Sequence, residues 1–208
     1  MSDVDIRAGL TEARFADVAR IAVLRGGGIG DLVLALPAIE SLRAAYAGAE
    51  IVLLGSPVHA AFLGGCRSPV DRVEVLPVAR GIREASDHED GAAALDDFRA
   101  RIRRRGPIDL AVQLHGGGRF SNPFLHALGV RHTVGTATDD AVPLERTMPY
   151  VYYQHDTMRW LEVAALAGAA PVTLDPHLAP VQAALRRVER LLPDDGAPLA
   201  VLHLGASD

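Results

Sequence analysis

Short, almost wholly apolar runs alternate along this chain with longer amphipathic ones, a pattern that predicts a parallel β-sheet flanked by helices. RIAVLR (20–25), EIVLLG (50–55), RVEVLP (72–77) and IDLAVQLH (108–115) read as strands, with a short fifth at RHTVG (131–135). Segment 92–105, AAALDDFRARIRRR, puts Leu95, Phe98 and Ile102 on one helical face and its arginines mostly on the other, so that face is predicted to cover the sheet. HDTMRWLEVAALAG (155–168), closed by Gly168, and APVQAALRRVERLL (179–192) read as two further helices, and PLAVLHL (198–204) as a last strand. RGIREASDHEDG (80–91) is polar without a period and reads as a loop.

The stretch LRGGGIGDLVLALP (24–37) sets glycines between the first strand and a helix, then adds an aspartate. A dinucleotide-binding loop needs glycine at its first, third and sixth positions; counting from Gly26, the third is Gly28 but the sixth is Asp31. The carboxylate puts negative charge where a pyrophosphate would sit, which argues against a nicotinamide or flavin cofactor. Asp31 has two readings: an N-cap that complements the helix dipole, or a functional carboxylate. Pro37 predicts either a separate turn over 31–36 or a kink, because proline inside a helix removes a hydrogen bond.

Composition narrows the function classes. The 208 residues carry a net charge of −5, so there is no general attraction to phosphate backbones and nucleic acid is not an expected partner. Every basic residue other than histidine is arginine, which excludes a Walker-type P-loop and Schiff-base chemistry. The single Cys66 permits no internal disulfide, and MSDVDIRAGLTEARF has neither the basic nor the apolar region of a signal peptide, so a cytoplasmic location is expected. No apolar run approaches the roughly 20 residues that span a bilayer. His126 and His132 stand without a surrounding carboxylate set, and there is no HExxH or cysteine cluster, so no metal is expected.

A second glycine loop, LHGGGRFSN (114–122), follows the fourth strand with His115, Arg119 and Asn122 beside its glycines. If the strand order is 3-2-1-4-5, the two loops face each other at the topological switch point, where open α/β sheets bind ligands. Asp31, His115 and Arg119 would then supply a base, a hydrogen-bonding group and an anion clamp to one cleft. For His115 a satisfied strand-end histidine, and for Arg119 a solvated loop charge, are the competing readings. RARIRRR (99–105) reads either as a solvated helix end or as a patch touching anionic lipid.

At this point RIAVLRGGGIGDLVLALPAIESLRAAYAGAEIVLL resembles the opening of glycosyltransferase family 9, the family of the ADP-heptose:lipopolysaccharide heptosyltransferases. DLAVQLHGGG, HDTMRWLEVAALAG and VLHLGASD are similar, in order, to further family segments. The resemblance implies the N-terminal half of a GT-B glycosyltransferase, a Rossmann-like doubly wound parallel sheet of the α/β class that holds the acceptor. On it, residues 1–17 form a tail, 18–176 the acceptor-binding domain, 177–196 a linker helix and 197–208 the start of a nucleotide-sugar-binding domain. The implied reaction is inverting and without a cofactor. Asp31 matches the family's general base, and the acceptor site is expected along Gly28, Gly30, His115, Gly116, Arg119 and Asn122. Ser207 matches a position near the donor phosphates. The implied partners are a nucleotide sugar and a glycan or glycolipid acceptor, with peripheral contact at the inner membrane surface. With the donor half missing, the 208 residues alone are expected not to transfer sugar; a non-catalytic acceptor-binding module or partner subunit is the alternative.

Overall fold

The computed structural model describes residues 11–83, 92–192 and 198–202. Its main sheet is built from β1 (Arg20–Leu24), β2 (Glu50–Gly55), β4 (Arg72–Val75), β5 (Leu110–Gln113), β6 (His132–Ala137) and β7 (Arg146–Pro149). All neighbours pair in parallel, in the order β4-β2-β1-β5-β6-β7. This is the doubly wound order the sequence predicts, extended by the edge strand β7, which the apolar pattern does not reveal. RTMP is only half-buried and ends in proline, which an edge strand tolerates.

β1 shows how the period-2 alternation serves two cores. Ile21 and Val23 enter one cluster, with α1 (Ile29–Ala45) and α5 (Asp156–Leu166); Ala22 and Leu24 enter the other, with α3 (Ala92–Arg104) and α4 (Ser121–Ala127). As predicted, Phe98 and Ile102 of α3 are buried in that second cluster and Leu95 packs against it. Each fully buried side chain of this size contributes about 1.5–3 kcal/mol. That burial explains Pro37, which neither breaks α1 nor isolates a turn: the helix runs through it, with Leu32, Ala35, Leu36, Ala38, Ile39 and Leu42 all buried around it. Tertiary packing outweighs the lost hydrogen bond. α4 begins Ser-Asn-Pro, which reads as loop in the sequence, but its proline falls in the first turn, where its missing N–H is harmless.

Two expectations near the C-terminus are corrected. Residues 179–192 are not one helix: β8 (Ala179–Pro180) pairs antiparallel with β3 (Cys66–Arg67), which follows α2 (Pro57–Leu63), and only then does α6 (Gln182–Glu189) begin. Pro180 is the cause, since a residue preceding proline is held extended. Residues 198–202 form no strand, and Leu199, Val201 and Leu202 are exposed, with no strand beside them among the described residues to complete a ladder. α5 starts and stops as read, with His155 as N-cap accepting from the Thr157 N–H and Gly168 at φ +79 beyond its end. The remaining parts of the 80–91 loop and of the final strand lie outside the described residues, as does Ser207. Among the described residues no helix is long and apolar enough to cross a membrane.

Candidate functional site

The switch point falls between β1 and β5, at their C-terminal ends, so the loops after them, 25–28 and 114–120, lie side by side. They are joined directly: the Gly26 N–H donates to His115 Nδ1 at 3.2 Å. That bond makes Nδ1 an acceptor and so puts the proton of a neutral His115 ring on Nε2.

Asp31 sits in the first turn of α1, but it is not the N-cap. Gly28 holds that position, three residues earlier, and its N–H donates to Asp31 Oδ2 at 2.8 Å, the acidic half of a capping box. The other carboxylate oxygen, Oδ1, accepts from Arg25 Nη2 at 2.8 Å. With both oxygens anchored the side chain remains 45% exposed, so the carboxylate is oriented and still open to a ligand. Gly27 makes this possible: at φ +85 it takes the left-handed conformation, and a Cβ there would lie 2.3 Å from Asp31 Oδ2. Gly28 needs no such freedom, at φ −86, and Gly30 has open space around it inside the helix.

Arg25, which the sequence presents merely as the last residue of a strand, organises the site. It is 4% exposed and donates through Nε to the Asp31 carbonyl at 3.0 Å and through Nη1 to the Leu114 carbonyl at 2.8 Å. Its Nη2 also reaches Asp156 Oδ2, at the start of α5, at 3.4 Å, and its Cζ lies over the Trp160 ring, 4.9 Å from the centroid. Burial lowers its pKa from the ordinary arginine value, against the opposing pull of Asp31 and Asp156. Beyond it, Arg159 is 1% exposed, pairs with Asp156, and donates to the carbonyls of Val151, Tyr152 and Gln154. Buried guanidinium groups demand such pairing, because an uncompensated charge there costs several kcal/mol. The sequence signal for Arg25 was its place, a charge closing the apolar run IAVL (21–24).

His59 of α2 is a second residue the sequence reading passed over. It is fully buried, accepts from the Ser56 N–H at Nδ1 (3.3 Å) and bonds the Gly28 carbonyl through Nε2 (2.8 Å). Desolvation holds its pKa below the ordinary histidine value. Gly28 is thus braced through both its carbonyl and its N–H.

The second loop is shaped from beneath by buried Gln113, which donates to the carbonyls of His115 and Gly116 and to Ser121 Oγ, and accepts from Thr136 Oγ1. Gly116 adopts φ +62. Asn122 is fully buried, and its amide donates to the carbonyls of Thr136 and Val142, so it braces the loop from within. Arg119 is exposed and pairs with Asp140 at 3.4 Å, turned toward the end of β6. The structure therefore brings Asp31, Gly28, His115 and Gly116 to one edge, while it places Asn122 inside the fold and Arg119 on a surface pair. Of the arginines in 99–105, Arg101 and Arg105 pair with Glu74 and Arg103 donates to the Ala127 carbonyl. Among the described residues no group of three or more His, Cys, Asp or Glu side chains is placed to hold a metal ion.

No protein-family model and no curated protein matches the sequence. Solved structures do match. A glycosyl transferase family 9 protein from Veillonella parvula superposes with a TM-score of 0.65 at 16% identity, covering 85% of this chain and 51% of its own. The chain has the fold of the family 9 glycosyltransferases. E. coli heptosyltransferase WaaC, solved with ADP-2-deoxy-2-fluoro heptose, gives 0.58 at 21% identity over 91% of this chain and 60% of its own. E. coli ADP-heptose lps heptosyltransferase II gives 0.62 at 13% identity over 86% and 52%. The chain thus spans about half the length of these structures, and what it shares with them is the Rossmann-like α/β architecture that the sequence resemblance implied.

Proposed function

We propose that this chain is the acceptor-binding half of an inverting glycosyltransferase that moves a sugar, heptose or similar, from a nucleotide-sugar donor to a glycan or glycolipid. The observation that carries the reading is Asp31: an exposed carboxylate with both oxygens oriented, at the ligand-binding edge of a fold shared with proteins that are heptosyltransferases. In the reaction, an acceptor hydroxyl gives its proton to the Asp31 carboxylate while its oxygen attacks the anomeric carbon. The bond from that carbon to the diphosphate oxygen breaks on the opposite face, and the electron pair leaves with the nucleoside diphosphate. General-base assistance of this kind is worth about 10²–10⁴-fold, and it depends on a carboxylate held in a fixed orientation. The open space at Gly30 and beside Gly116 lets a bulky saccharide approach the backbone next to the carboxylate. The WaaC structure was solved with an ADP-heptose analogue, which makes ADP-heptose the first donor to try.

The test is a titration of the ¹⁵N-labelled chain with lipopolysaccharide-core oligosaccharides. Saturable shifts at Gly26–Asp31 and His115–Gly118 are expected, and Asp31→Asn should weaken them. Shifts confined to other edges of the sheet, or none across the panel, overturn the assignment.

A further inference from the structure

Arginines at a site that handles diphosphate chemistry invite assignment as anion clamps, but the surroundings of Arg25 leave that role little room. Its Nε, Nη1 and Nη2 all donate within the protein, its Cζ lies over the Trp160 ring, and only 4% of the residue is exposed. Those bonds gather three elements around one guanidinium: the backbone and carboxylate of Asp31 on α1, the Leu114 carbonyl after β5, and Asp156 opening α5. Planar, forked donation of this sort fixes the direction of a carboxylate, which a point charge does not.

We infer that Arg25 is the positioning residue of Asp31: it holds Oδ1 while the Gly28 N–H holds Oδ2, and it makes no contact of its own with a bound anion. The inference rests on the reading of Asp31 as the acting carboxylate, but its test needs no sugar. Asp156 completes the device as the second counter-ion of Arg25. At rest, Arg25 and Arg159 balance Asp31 and Asp156, and when Asp31 takes up a proton Asp156 still compensates Arg25 in its buried position. The other charged or titratable groups around Arg25 and Gly28 are Tyr150 and His59.

The ¹⁵N-labelled chain reports on both partners, through the Arg25 Nε–H signal and the Gly28 amide, which is hydrogen-bonded to Asp31 Oδ2. In the wild-type chain, inorganic pyrophosphate is expected to leave both signals unmoved. Arg25→Met is expected to move the Gly28 amide upfield as the carboxylate loses its anchor. Arg25→Lys should recover only part of that shift, since it restores the charge without the fork. A saturable pyrophosphate-dependent shift of the Arg25 signal makes Arg25 an anion clamp and overturns the inference. So does a Gly28 amide unmoved in a folded Arg25→Met chain. If that variant does not fold, the wild-type titration and Arg25→Lys decide the matter. Because no glycan takes part, failure here leaves the transferase reading standing, and failure of the glycan titration leaves this one.

Discussion

Two glycines three residues apart, Gly27 and Gly30, should respond to the same substitution with opposite sign. At Gly27, alanine must keep φ near +85, which costs an L-residue about 1–2 kcal/mol. Its Cβ would also lie 2.3 Å from Asp31 Oδ2 and 2.9 Å from Cγ, so the carboxylate must swing away and release the Gly28 N–H. Losing that partly exposed hydrogen bond adds about 1 kcal/mol, for a total of about 2–3 kcal/mol. At about 2–4 °C per kcal/mol for a chain of this size, Gly27→Ala should melt about 4–12 °C lower. At Gly30, a Cβ meets nothing within 4 Å and the residue is helical, so alanine removes only unfolded-state entropy. Gly30→Ala should therefore gain up to about 1 kcal/mol and melt a few degrees higher. Thermal unfolding followed by circular dichroism at 222 nm measures both. A Gly30→Ala chain that melts as low as Gly27→Ala, or a Gly27→Ala chain that melts like the wild type, would refute the assignment of the turn to Gly27.

His59 predicts a pH dependence. Its folded-state pKa lies below the ordinary value of 6.5, so below that pH the unfolded chain binds a proton that the native chain refuses. Stability carried by His59 is complete above pH 6.5 and is lost as pH falls toward the folded-state value; His59→Gln should flatten that part of the profile, and identical urea midpoints from pH 7.5 to 5 for both chains would contradict it. Arg159→Met leaves Asp156 and three backbone carbonyls without their buried partner, and should cost about 3 kcal/mol with a change in Trp160 emission; an unshifted urea midpoint would count against that role. A chelator should leave the melting temperature where it is, given the absence of a metal-binding cluster among the described residues, and a fall of several degrees would reveal a site.

How far the sequence carries depends on whether local signals and packing agree. β2 spans Glu50–Gly55 as its apolar run dictates, and the Leu95, Phe98, Ile102 stripe of α3 meets the sheet, because burial and periodicity point the same way. Pro37, Pro123 and Pro180 defeat a local reading in three different ways: packing carries α1 through the first, the second sits harmlessly in a first turn, and the third delays α6 and leaves a short strand. At the site, Asp31 stood out because it breaks a glycine pattern. Arg25, His59 and Gln113 did not, because their roles lie in what they bond across the fold, and no spacing along the chain encodes Arg25 meeting Leu114 and Asp156. Asn122 shows the reverse: a polar residue beside a glycine run that the structure turns inward.

The most direct test of the central claim is sugar transfer by the native gene product, wild type against Asp31→Asn. It would be followed by mass spectrometry with ADP-heptose and other nucleotide sugars and a deacylated lipopolysaccharide core as acceptor. The account predicts a product heavier by one sugar with the wild type, and a rate at least about 10²-fold lower with Asp31→Asn, whose melting temperature falls by only a few degrees. Transfer by Asp31→Asn at the wild-type rate, or no product from the wild type with any donor, would contradict it.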